Sequence, residues 1–309
     1  MRLITYAQGP GTLPRLAVRV GHRVLDVESG SRVDGEPLPS TMKGLLREGR
    51  GAISRVQALA KAAQTTAGRF AGAMLEEKAI RFLPPIADTA NLRSAGVNHR
   101  ARFEELKDRG LVGEMPAQLS GFEKADLALL GHNARVAKPV TIARLDYEPE
   151  LVFVVGRRGQ RLGDDIEAVD YIAGVTLLVD FVDRDSQKGA TDSGAPYWQA
   201  KHAPGFAVMG PEMVTLDEVE DLDDLWMTCS VNGEERLRVN TADQLWHIEE
   251  MLASFSQAGA LEPGDMIATG VPGGTALGGG AKDLYLKVGD VVECALEGLT
   301  TLRATIVAA

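Results

Sequence analysis

Asp146-Tyr147-Glu148-Pro149-Glu150-Leu151-Val152-Phe153-Val154-Val155-Gly156 joins a polar head to an apolar run that stops at glycine. The run Leu151–Val155 reads as a buried strand, with Glu148 and Glu150 at its mouth. In extended geometry side chains two residues apart leave the same face. Two carboxylates side by side repel one another unless a cation or a proton intervenes. Thirty residues on, Asp180 closes a second apolar run, Val175 to Val179. Three carboxylates on adjacent strand ends make an all-oxygen site for a hard divalent ion, with positions left for water and substrate. That pattern points to an enzyme.

Working outward, strands are predicted at 172–179, 208–213, 225–231 and 291–296, each apolar or alternating and ended by Gly, Asp or Asn. A helix is predicted from Thr241 or Asp243 to Ser256, because Leu245, Ile248, Leu252 and Phe255 recur at helical spacing. A second covers residues 102–109. Regular alternation of strand and helix is absent, which disfavours a doubly wound fold or a TIM barrel. Upstream, residues 1–28 read as short hairpin strands, followed by helices over 41–48 and 51–70 divided at Gly49 and Gly51. Pro84-Pro85 stands near a boundary. The expected division is an α+β accessory unit, residues 1–80, and a main domain of mixed β/α structure, residues 81–309.

The chain has 309 residues, enough for one large domain with a small appendage, and its 45 % hydrophobic and 25 % charged content is that of a soluble globular protein. A formal charge of -10 argues against a nucleic-acid partner, since no excess of Lys and Arg is present to displace counterions. No stretch approaches 18 uncharged apolar residues and the start lacks a signal-peptide core, so a cytoplasmic protein without membrane contact is expected. Cys229 and Cys294 lie in strand-like contexts and read as buried thiols of a reducing compartment. The glycine-rich stretch from Thr269 to Gly280 lacks the spacing of a nucleotide loop. Its backbone N–H groups, with the Thr269 hydroxyl and Gly270, suit a ligand carboxylate.

Taken in order, these landmarks resemble the fumarylacetoacetate hydrolase family. The resemblance rests on Gly96-Val97-Asn98, Asp146 to Leu151, Asp180-Phe181-Val182-Asp183-Arg184-Asp185, Lys201 to Pro211, Leu261 to Pro272, and Leu286 to Glu293. It implies a β-sandwich roll core with the N-terminal accessory domain, arranged as a homodimer. It further implies Mg²⁺ or Mn²⁺ held by Glu148, Glu150 and Asp180, with Lys201 beside the ion. Substrates of such enzymes are small anionic 2-oxo or diketo acids.

One departure bears on the chemistry. Hydrolytic members carry Asn-Tyr-x-x-His-x-x-Glu, whereas this chain has Asn98-His99-Arg100-Ala101-Arg102-Phe103-Glu104-Glu105. Arg102 takes the histidine position and Glu105 keeps the glutamate. Either His99 acts with Glu105 as a displaced base, or Glu105, Lys201 and the metal suffice. Lys201 near a cation is expected to have its charge disfavoured, leaving it able to donate to a forming oxyanion. Arg102 and Arg184 could bind a substrate carboxylate through their guanidinium forks. The expected function is metal-dependent hydrolysis of a C–C bond in an acylpyruvate or diketo acid. The alternative is a lyase of the same fold, a 2-oxo acid decarboxylase or a 2-keto-3-deoxy sugar-acid dehydratase.

Overall fold

The computed structural model describes residues 1–88, 91–163, 165–193, 198–279 and 284–309, so Gly280 lies outside the described residues. Among those described, the strands form a twelve-stranded and a five-stranded sheet. The large sheet is built around the antiparallel pair Leu145–Val155 and Ile172–Asp183. Ala207–Thr215 flanks it on one side and Met266–Ala268, Leu92–Ala95 and Gly121–Lys124 follow on the other. The small sheet contains Glu234–Asn240, Trp226–Val231, Val291–Leu296, Thr300–Ala308 and Ala134–Lys138.

Period-two alternation in the central strands sorts their side chains between two cores. Leu145, Tyr147, Leu151, Phe153 and Val155 pack with Leu177, Val179 and Phe181 against Cys229, Val292, Leu302 and Ile306 of the small sheet. Val152, Val154 and Leu178, in the opposite phase, pack with Leu3, Val18, Val56 and Leu59. The large sheet is therefore buried on both faces, which is why its central strands read as nearly continuous apolar runs. Cys229 and Cys294 are cross-strand partners with their sulfurs 3.1 Å apart, both buried and free.

The first residues extend this same sheet. Arg2–Ala7 pairs with Ala207–Thr215, and Arg15–Val20 and Arg23–Asp26 continue outward from it. Helices Met42–Glu48 and Arg50–Thr65 meet at Gly49, whose φ of 81° suits glycine. The second helix stops earlier than its composition predicts, passing at Thr66 into a 3₁₀ segment, Ala67–Ala73.

Two expectations are corrected by tertiary bonding. Glu148 and Glu150 sit inside a strand and not at its mouth, because Leu145, Asp146 and Tyr147 continue the ladder opposite Asp183, Val182 and Phe181. Asp180 likewise lies within its strand. The helix placed from residue 241 or 243 begins only at Ile248 and runs to Ala258. Leu245 and Trp246 are instead held by Asn98: its backbone O accepts from Leu245 N at 2.8 Å, its Oδ1 accepts from Trp246 N at 2.8 Å and its Nδ2 donates to Trp246 O at 3.2 Å. Bonds from outside the segment outcompete the first helical turn, whose donors have no partners within it.

Candidate functional site

Glu148 and Glu150 share the phase of Val152 and Val154, and Asp180 that of Leu178. On this face helix Arg50–Thr65 packs over the apolar positions, while Glu148 and Glu150 line a cavity of about 550 Å³. Glu148 and Asp180 are register partners, and one oxygen from each of Glu148, Glu150 and Asp180 lies within 4.8 Å of the others. All three residues are at most 2 % exposed. At that spacing two bare carboxylates repel by about 3 kcal/mol at an effective dielectric constant near 20. The fold therefore requires compensating charge here.

The chain supplies part of it. Lys201 Nζ bonds Asp180 Oδ2 at 2.7 Å and also bonds Glu148. Arg184 Nη2 meets Glu148 Oε1 at 2.5 Å, while its Nε holds Asp146 Oδ2 at 2.8 Å and its Nη1 holds Gln187. Burial alone would raise the Glu148 pKa, but Arg184, Lys201 and Arg102 outweigh it and hold this carboxyl well below the usual range. Burial disfavours charge on Lys201, yet Asp180, Glu148 and Glu150 overcome that and hold it above its ordinary value. The expected loss of charge concerned a neighbouring cation; in the protein alone its neighbours are carboxylates, which favour the charged form.

Glu150 is treated differently. Its Oε2 accepts from Ser94 Oγ at 2.9 Å and Gly270 N at 2.8 Å, and no cationic side chain bonds it directly among the described residues. Burial and the charges of Asp180 and Glu148 push its pKa up to about 8, against the weaker pull of Lys201 and Ser94. A buried carboxyl in that position binds either a proton or a metal ion. Three close oxygen donors, one of them short of positive charge, fit a hard divalent cation.

Arg102 reaches the cavity from helix Arg100–Asp108, pairing with Glu105 Oε2 at 3.1 Å and approaching Glu148 Oε1 at 3.9 Å. Glu105 also accepts from Gly274 N at 2.6 Å, which ties the helix to the glycine-rich loop. Gly270 takes part through its N–H to Glu150, at φ 83°, where a Cβ would meet the Gly96 oxygen at 2.6 Å. His99 and Thr269 are buried, and neither lines the described cavity. The Thr269 carbonyl accepts from Asn98 Nδ2 at 3.0 Å. Neither His99 ring nitrogen has a protein hydrogen-bond partner, and burial pushes its pKa down to about 4, with the Gly270 backbone opposing weakly.

The sequence reading missed Lys124. It ends the short strand Gly121–Lys124, is buried, and bonds Asp180 Oδ1 at 2.5 Å and the Lys201 carbonyl. Burial pushes its pKa down, with Asp180 opposing. A lone lysine after Phe122-Glu123 carries no local signal; only the sheet order brings it here. Asp146 was quoted as part of the motif, yet its hub role was not read. It receives Arg184, Ala276 N and Leu277 N, the last two at 3.0 Å each.

With this geometry in place, the sequence profile described as fumarylacetoacetate (FAA) hydrolase, C-terminal, matches residues 91–307. The chain belongs to the fumarylacetoacetate hydrolase family. Within that family it is 32 % identical over 224 residues to an uncharacterised protein of Staphylococcus saprophyticus, covering 72 % of this chain and 70 % of that one. The fold is that of fumarylacetoacetate hydrolase from Exiguobacterium antarcticum, with TM-score 0.76, 24 % identity and full coverage of both chains. It is equally that of maleylpyruvate hydrolase from Sphingobium sp. SYK-6, solved with manganese(II) and pyruvate, with TM-score 0.73, 24 % identity and full coverage of both. The mixed β/α architecture expected of the family is thus present. No described helix is long and apolar enough to cross a membrane.

Proposed function

We propose that this protein is a divalent-metal-dependent enzyme that cleaves a C–C bond beside the ketone of a small acylpyruvate or diketo acid. The reading rests above all on the buried trio Glu148, Glu150 and Asp180, whose oxygens lie within 4.8 Å of one another, with Glu148 and Glu150 lining the cavity. Mg²⁺ or Mn²⁺ held there would act as a Lewis acid on the ketone oxygen. Lys201 donates a hydrogen bond to the oxygen on which negative charge develops. Arg102 presents its fork to the substrate carboxylate. Glu105, which stands behind the lining and is paired with the cavity-lining Arg102, takes the role of proton acceptor. His99 remains outside the described cavity and shapes the Gly270 segment. Hydrolysis adds water across the bond and yields pyruvate and a second carboxylic acid.

A second reading, decarboxylation of a 2-oxo acid or dehydration of a 2-keto-3-deoxy sugar acid, is favoured by one observation. Arg102 stands where hydrolytic relatives have histidine, and no imidazole lines the described cavity to activate water. Both lyase reactions need an enolate or carbanion but no attacking water. Residues 1–80 are read as an accessory unit docked edge-on through the first strand, in a homodimer of a reducing cytoplasm.

The test is product analysis with an acylpyruvate and Mn²⁺. Equimolar pyruvate and a second acid, abolished by chelator, supports hydrolysis. Release of CO₂, or a single dehydrated product from a sugar acid, moves the assignment to the lyase. Turnover that survives exhaustive chelation overturns the metal-dependent reading.

A further inference from the structure

The cavity lining combines two chemistries. Beside Glu148, Glu150, Lys201 and Arg102 it carries an apolar set, Leu106, Leu111, Val112, Phe122, Val271 and Leu277. Leu111, in this apolar set, is 57 % exposed and so open to a bound ligand. We infer that the site takes a monoanionic 2-oxo acid with an apolar distal group, and discriminates against substrates bearing a second carboxylate at that end. This rests on the reading of the site as one for 2-oxo acids.

The cations around the cavity carry the argument. Arg144 is paired with Asp185 at 2.6 Å, and Lys188 with Asp192. Deeper in, Arg184 is held by Asp146 and Glu148, Lys201 by Glu148 and Asp180, and Arg102 by Glu105. Every cation lining the described cavity thus already has a carboxylate partner. A distal carboxylate finds Arg144 already held by Asp185 and Lys188 by Asp192, and gains no burial against leucine and valine. An alkyl or aryl group leaves the pairs intact and covers Leu111 and Val112. The net charge of -10 adds a weaker bias against a dianion.

The decisive comparison is 2-oxohexanoate against 2-oxoadipate, which share a carbon skeleton and differ only in a terminal methyl or carboxylate. Binding to the full chain loaded with Mn²⁺ is measured by calorimetry. The expected result is at least tenfold tighter binding of 2-oxohexanoate, with affinity rising about fourfold per methylene from 2-oxobutanoate to 2-oxooctanoate. Leu111→Arg should narrow or invert the preference while leaving Mn²⁺ affinity unchanged. Equal or tighter binding of 2-oxoadipate overturns the inference, as does a flat series. Should 2-oxohexanoate be preferred while no acylpyruvate is turned over, the proposed reaction falls and the pocket inference stands. Turnover of acylpyruvates with preference for 2-oxoadipate gives the converse, and failure of the Mn²⁺-loaded chain to bind either acid overturns both.

Discussion

Glu148 and Asp180 face each other across the antiparallel pair at the centre of the large sheet, and the Lys201 ammonium spans them, with Asp180 Oδ2 at 2.7 Å. Strand register therefore sets the spacing of the acidic groups. A slip of one residue would turn the shifted carboxylates toward the packed small sheet, which the apolar phase of the same strands forbids. The requirements of the core and of the site are met by one alternation.

Glu150 and Glu148 should respond oppositely to neutralisation. In chelator, the folded pKa of Glu150, about 8, lies above its ordinary 4.5. The folded state then binds the extra proton, so this group's contribution is complete below pH 4.5 and is lost as the pH rises through 8. Glu150→Gln should make the metal-free protein more stable than wild type at pH 8 by on the order of 4 kcal/mol, with a difference of about 1 kcal/mol or less at pH 5. Glu148→Gln strips Arg184 and Lys201 of a partner and should destabilise by about 3 kcal/mol. Denaturant titrations at the two pH values check both, and each variant should lose Mn²⁺ binding by at least about a hundredfold.

Lys124 should behave as half of a buried pair. Lys124→Met leaves Asp180 Oδ1 without its cation and should cost about 3 kcal/mol. Asp180→Asn in the same background should recover only part of that loss, since Lys201 then keeps Glu148 as its one remaining direct carboxylate partner among the described residues. A double-mutant cycle by urea unfolding gives the coupling energy, and a value near zero would refute the pairing.

The trio was legible because strand alternation projects residues 148 and 150 to one face, and because Asp180 interrupts a run of otherwise apolar residues. The strand ends were not. Asp146, Glu148, Glu150 and Asp183 look like loop residues when polarity is taken as exposure, whereas here each is buried with a bonding partner. Lys124 and Ser94 lie on neighbouring strands that reach the site only through the sheet order. The start of the helix at Ile248 depends on Asn98, some 150 positions away. Such contacts leave no periodic trace.

His99 predicts an acid-side weakness. Burial holds its folded pKa at about 4 against an ordinary 6.5, so the unfolded chain protonates first. The contribution is present above pH 6.5 and is lost as the pH falls through 4, amounting to on the order of 3 kcal/mol. His99→Phe, which cannot titrate, should flatten the stability profile between pH 6.5 and 4. Unfolding curves across that window provide the check. An unchanged slope would place the imidazole in contact with water or with a carboxylate.

Arg184 offers the sharpest separation of roles. Its guanidinium fork is of a kind that binds a substrate carboxylate, but here it is occupied by Asp146, Glu148 and Gln187. A group so placed orients Glu148 and should act on substrate only through the metal. Arg184→Lys keeps the charge but loses the fork that grips two carboxylates at once. It should weaken Mn²⁺ binding by about tenfold, while 2-oxo acid affinity at saturating Mn²⁺ changes by less than about threefold. The opposite split, with normal metal affinity and lost acid binding, would return Arg184 to the substrate. Calorimetry with metal and acid added in turn distinguishes the two, because a positioning residue transmits its loss through Glu148 before any ligand arrives.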